Sequence, residues 1–271
     1  MATVYNTSNN PAFTTALSAS LSGGDTLILN QFSTPFTSLT DISSVDLLLI
    51  RIMAGFSGTF DSSPLTAVVN QTSTGKVINE SNSPKIILKS SSTSGVLYQV
   101  QHSPVIGGGV MSIQTATVTN LLVTSGYCTV GSDATATNVY VFGGQCTLTG
   151  SSNAVTALEV RGGNVTLERD VTTLSAYGGT VMINNSGVTP TTVNVEQGAV
   201  VKIRDGGTIT TLNGKSGTLD LTELSRPLTI TNSTFYPQLR LLKNSSTDQL
   251  LTFTNPTTRA FGYEGVITTI A

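Results

Sequence analysis

The sequence predicts an all-β fold, a single-stranded parallel β-helix or β-solenoid with about 18 residues per coil, three short sides and an N-terminal capping helix. Three features carry this prediction. Glycines recur down the middle of the chain at nearly even spacing, at Gly109, Gly126, Gly144, Gly163, Gly179, Gly198 and Gly217. Apolar residues stand two and four places after most of these glycines: Met111 and Ile113, Cys128 and Val130, Cys146 and Leu148, Val165 and Leu167, Val181 and Ile183, Leu219 and Leu221. Apolar pairs also precede them, as in Val139 with Val141, Leu158 with Val160 and Val193 with Val195. A spacing of two places both members on one face of a strand, and the glycine marks a corner.

The chain reads in four stretches. Residues 1–30 hold the cap and a first strand. Asn10-Pro11 opens a helix as N-cap and first helical residue, Phe13, Leu17 and Leu21 share one face, and Gly23-Gly24 ends it before the strand Asp25–Leu29. Residues 31–105 read as less regular coils or a small side sheet, with strand-like runs Leu47–Ile52, Leu65–Val69, Ile86–Leu88 and Val96–Val100. Residues 106–228 form the regular solenoid, in which a third apolar position (Val118, Val155, Val171, Val188, Ile209) opens each coil. One coil carries an extra residue at Glu196-Gln197-Gly198-Ala199, which shifts the inward places to Val201 and Ile203. At a corner such an insertion leaves the strand alternation intact, whereas within a strand it would invert it. Residues 229–271 concentrate Phe235, Tyr236, Leu239, Leu241, Leu242, Phe253, Phe261 and Tyr263 and are expected to be a second cap or an oligomer contact, since a stack must hide its strand edges.

The amphipathic helix followed by Gly23-Gly24-Asp25-Thr26-Leu27-Ile28-Leu29 resembles the entry of right-handed parallel β-helix proteins of the pectin-lyase-like group. The resemblance is confined to this short entry and implies the fold, with no catalytic residue carried over. Coils in that group are longer, with loops that build an active site, and such loops are not apparent in these short repeats.

Composition narrows the function. Charged residues are 10% of the chain, against roughly 25% in an average soluble domain, and Thr, Ser and Asn take the outward places. That surface suits a protein packed in an assembly. With a net charge of −2 and no run of Lys or Arg, nucleic acid and anionic membrane have nothing electrostatic to hold. The opening Met1-Ala2-Thr3-Val4-Tyr5-Asn6 lacks the pattern of a secretion signal, so synthesis in the cytoplasm is expected.

Cys128 and Cys146 fall in the same inward slot and read as two buried thiols; with Val165, Val181 and Leu219 they form a core ladder. No metal or cofactor is expected, because no further ligands stand at suitable spacing. The lone His102, beside a Ser-Pro turn, lacks a nucleophile partner. Glycan hydrolysis calls for a pair of carboxylates across the scissile bond. The outward slots read Thr129, Thr147, Thr166, Met182, Lys202, Asp220 and Thr149, Glu168, Asn184, Arg204, Thr222, with no two acids adjacent; the cluster Glu168-Arg169-Asp170 reads as a solvated corner. The slot before the glycines holds Phe142, Arg161 and Tyr177 in consecutive coils, with Glu196 beyond. In register these make an aromatic, cation, aromatic ladder, either a contact surface or a self-satisfied stack.

Signal-free, low-charge, Ser/Thr/Gly-rich β-solenoids without a catalytic array resemble structural proteins of tailed bacteriophages. The resemblance implies a non-enzymatic virion component, a capsid decoration or cement protein bound to the major capsid protein or other virion proteins, as a trimer or dimer. Two other classes compete: a tail-spike or fibre module that binds or cleaves host-surface glycan, and a bactofilin-like polymer.

Overall fold

A computed structural model describes residues 4–6, 26–29, 47–54, 60–61, 71–80, 86–89, 95–100, 110–115, 117–150, 155–184, 190–258 and 267–270. The chain is all-β and coils as a parallel β-solenoid, with about 7 regular turns of about 19 residues. The strand pairings among the described residues run parallel. The helix expected from Asn10 lies outside the described residues, as do the run Leu65–Val69, His102, Val188, Phe261 and Tyr263; among those described, the one helix is the short turn Ser245–Asp248.

Two compact units divide the chain, Met1–Thr137 and Asn138–Ala271. In the first, β1 (Val4–Asn6), β2 (Thr26–Leu29), β3 (Leu47–Ile52), β4 (Phe60–Asp61), β5 (Gln71–Asn79), β6 (Ile86–Lys89), β7 (Gly95–Val100), β8 (Val110–Thr115), β9 (Thr117–Val123) and β10 (Tyr127–Val130) build two ladders. One runs β1, β2, β3, β5, β7, β9, and the other runs β4, β6, β8, β10. The described strands between residues 47 and 100 lie in these two ladders. Their period is longer and uneven, since Ile52 faces Asn79 and Asn79 faces Val100, which is why the short repeat does not surface there. Arg51 and Glu80 join neighbouring rungs by two hydrogen bonds of 3.0 Å, at the residues flanking the Ile52–Asn79 pair.

The second unit holds β11 (Thr135–Val141), β12 (Gln145–Leu148), β13 (Val155–Val160), β14 (Asn164–Leu167), β15 (Val171–Ala176), β16 (Thr180–Ile183), β17 (Thr192–Val195), β18 (Val200–Ile203), β19 (Gly207–Asp220), β20 (Leu228–Asn244), β21 (Leu251–Thr258) and β22 (Ile267–Ile270). Odd-numbered strands from β11 to β19 form one ladder and even-numbered strands from β12 to β18 the other. Three sides can be read from burial. In β13 and β15 the buried residues fall at the first, fourth and sixth places, so Val155 and Val171 sit across a bend from Leu158–Val160 and Leu174–Ala176. The short strands β14 and β16 supply the third side, Val165 with Leu167 and Val181 with Ile183.

The core is a set of stacked columns. Cys146 faces Val165, Val165 faces Val181, Val181 faces Val201 and Val201 faces Leu219, each at most 1% exposed. Cys128, in the first unit, is equally buried, and neither cysteine is in a disulfide. Each apolar side chain removed from water in such a column contributes about 1.5–3 kcal/mol, which together offset the ordering of a Gly- and Ser-rich chain. The extra residue near Gly198 is absorbed at the corner: Gln197 and Gly198 take φ of 47° and 82°, and Val201 and Ile203 keep their inward places.

Past Leu228 the short repeat no longer shows in the sequence, although β20 (17 residues) continues both ladders, pairing Leu228 with Gly207 and Leu241 with Leu219, and β21 and β22 add a further rung. The reason is spacing: Val195, Gly214, Phe235 and Thr258 are stacked partners, and each step between them is longer in sequence than the one before. Arg169, read as part of a solvated corner, is 0% exposed. It lies two places past Leu167 and two before Val171, so strand parity turns it inward, where its Nε donates 2.8 Å to the carbonyl of Thr149. Burial lowers its pKa, with Cys146 opposing.

Candidate functional site

The outward face of the β11–β13–β15–β17–β19 ladder carries the residues singled out before the glycines. Each follows the last strand residue of its rung, and the backbone fixes the stack: Arg161 N–H donates to Val141 O (2.8 Å), Tyr177 N–H to Val160 O (2.7 Å) and Glu196 N–H to Ala176 O (2.8 Å). With the amides one rung apart, the side chains fall into a single column. The Arg161 guanidinium carbon lies 5.7 Å from the centroid of Phe142 and 5.5 Å from that of Tyr177. An arginine between two aromatic faces is attracted by both ring quadrupoles. Its Nε is paired with Glu159 on its own strand. Phe142 is 48% exposed and the Arg161 side chain 57% exposed.

The column continues beyond Glu196. Lys215 Nζ donates 2.8 Å to Glu196 Oε1, and this bond, with the charge of Glu196, raises the lysine pKa. Tyr236 follows Phe235, which pairs with Gly214, so it comes beside Lys215 across a bulge. Lys215 and Tyr236 were missed in the sequence. Lys215 stands two places before Gly217, as Arg161 stands two before Gly163, so its signal was present; Tyr236 has no following glycine and only register reveals it.

A parallel column two places earlier is polar. Asn194 Nδ2 donates 3.1 Å to Ser175 Oγ, and Asn213 Nδ2 donates 2.9 Å to Asn194 Oδ1. Beside the aromatic column the chain turns through Gly143-Gly144, Gly162-Gly163 and Gly178-Gly179. These corners stack so closely that a Cβ on Gly163 would stand 2.4 Å from the Gly144 carbonyl oxygen, and Gly163 holds φ at 76°. No side chain fits there, and the rings and the guanidinium stand next to bare backbone.

The chain matches no family model, no curated protein and no solved structure. Its function must therefore be read from its own surface.

Several charged groups elsewhere on this unit are paired. Lys202 and Asp220 face each other in register with 3.6 Å between Nζ and Oδ2, Arg204 pairs with Glu223, and Arg226 lies 3.4 Å from Asp205. Asp220 also accepts from the Thr222 hydroxyl (2.7 Å) and amide (3.0 Å). Burial disfavours its charge, yet Thr222 and Lys202 outweigh that and hold its pKa below the ordinary value. Thr147, Thr166 and Met182 occupy the same outward column as Lys202 and Asp220. Among the described residues no cluster of three His, Cys, Asp or Glu could hold a metal ion, and no helix is long and apolar enough to cross a membrane.

Proposed function

We propose that this chain is a structural, non-catalytic virion protein of the capsid decoration or cement type, and that it attaches to its particle through the Phe142–Arg161–Tyr177 column. The observation that carries this reading is the column itself: an arginine clamped between two rings, about half exposed, on a scaffold whose backbone is hydrogen-bonded from rung to rung at that point. Phe142 and Arg161 are exposed and Tyr177 is half-buried; Tyr, Phe and Arg are enriched at protein interfaces, and a rigid surface spares the ordering cost of binding. Pairing of Glu159, Glu196, Asp205, Asp220 and Glu223 with cations supports a structural role for these carboxylates. The 10% charge content fits a surface that spends its life packed against neighbours.

The test is rebinding. Purified protein is added to particles assembled without it, and bound copies are counted against the shell protein. Saturable binding in hundreds of copies, lost in the Arg161→Ala, Tyr177→Ala double variant, is the expected result. A few copies per particle would move the protein to the tail. Release of reducing ends from host polysaccharide, abolished by Glu168→Gln with Asp170→Asn, would overturn the reading.

A further inference from the structure

Resting on that reading, we infer that Arg161 is a carboxylate receptor: its terminal nitrogens take the side chain of an Asp or Glu of the partner protein in a two-pronged hydrogen bond.

The geometry of the fork is already set. The guanidinium carbon lies over the Phe142 ring and over the Tyr177 ring, and Glu159 occupies Nε. Nη1 and Nη2 have no partner among the described residues and belong to a side chain 57% exposed. The planar guanidinium fork matches the two oxygens of a carboxylate, and its contacts with two rings and Glu159 restrain it before binding. Glu159 neutralises part of the charge, so the site favours a geometrically matched carboxylate over a diffuse polyanion. Lys215 cannot substitute for Arg161, because its ammonium is engaged by Glu196.

The surroundings favour a protein carboxylate over an acidic sugar. A pyranose needs donors and acceptors for its hydroxyls, and several of those nearby are engaged within the stack. Asn194 donates to Ser175 and accepts from Asn213. The corner amides of Gly162 and Gly178 donate to Val141 O and Val160 O, and the Asn164 and Thr180 amides take the Gly144 and Gly163 carbonyls. What remains beside the fork is a strip of glycine backbone without side chains, against which an extended segment bearing an Asp or Glu can lie.

The experiment compares Arg161→Lys with the parent. Lysine keeps the charge and loses the planar fork, so particle rebinding should weaken by about tenfold or more in Arg161→Lys while the melting temperature stays close to the parent's. In parallel, the Nε and Nη resonances of Arg161 in the wild-type protein are followed by NMR on adding poly-L-glutamate or polygalacturonate. This arm needs no particle and so separates failure of the carboxylate site from failure of the virion reading. A saturable shift with polyglutamate, absent with polygalacturonate, supports the inference. Arg161→Lys rebinding like the parent, while Phe142→Ala with Tyr177→Ala does not, would leave docking intact and overturn the carboxylate site. A shift with polygalacturonate alone, or with neither polymer, would overturn it as well.

Discussion

The guanidinium carbon of Arg161 lies 5.5 Å from the ring centre of Tyr177, one coil later in sequence and one rung on in space. The pair spans the shortest coil of the unit, where Val160 faces Ala176. In a double-mutant cycle on denaturant unfolding, Arg161→Ala and Tyr177→Ala should couple by about 0.5–1 kcal/mol, the range of an exposed cation–π contact. A coupling indistinguishable from zero would show that the ladder adds nothing to the fold.

Val165 sits between Cys146 and Val181 at 1% exposure. Val165→Asp would bury a carboxylate without a partner, and the loss should be on the order of 3 kcal/mol or more. Loss of soluble, protease-resistant protein is the readout.

Gly163 and Gly198 both have positive φ, 76° and 82°, but differ in their surroundings. A Cβ at Gly163 meets the Gly144 carbonyl oxygen at 2.4 Å, and one at Gly198 meets nothing within 4 Å. Gly198→Ala should therefore cost only the left-handed backbone, about 1–2 kcal/mol, and Gly163→Ala clearly more. Equal melting temperatures for the two would contradict the tight stacking of the diglycine corners.

The legibility of the chain follows its corners. Where coils are short and every turn needs a positive-φ glycine, as at Gly144, Gly163 and Gly179, the sequence announces the period and the inward residues with it. Where coils lengthen, as between Ile52 and Val100, unequal spacing in sequence hides the same ladders. The Phe142–Arg161–Tyr177 column was legible because each member precedes a glycine pair. Arg169 was misread because its charge was weighed above its parity with Leu167 and Val171.

Burial works against the charge of Asp220, but Thr222 and Lys202 together hold its pKa below the ordinary carboxylate value. A depressed folded-state pKa means stability that is present above the unfolded value, near 4, and lost as pH falls through the folded one. Asp220→Asn should thus flatten the acid limb of a melting-temperature profile between about pH 5 and pH 2, with the largest gap to the parent at neutral pH. An unchanged acid limb would show that the Lys202–Asp220 pair is inconsequential.

Cys128 and Cys146 are buried and form no disulfide. Both should resist thiol reagents in the native protein and react after denaturation without reductant.

A stack of near-equivalent coils invites an error that other folds escape, since a rung can settle one step too early or too late and still bury Val on Val. Arg169 makes one coil unlike the rest. Among the described residues it is the one charged side chain buried in the stack, and it reaches from its own coil to the Thr149 carbonyl in the coil of β12. A slipped rung would have to receive that cation in a place shaped for an uncharged residue, which burial of charge disfavours. The residue thus marks its coil: a single charge gives an otherwise repetitive chain a point from which to count.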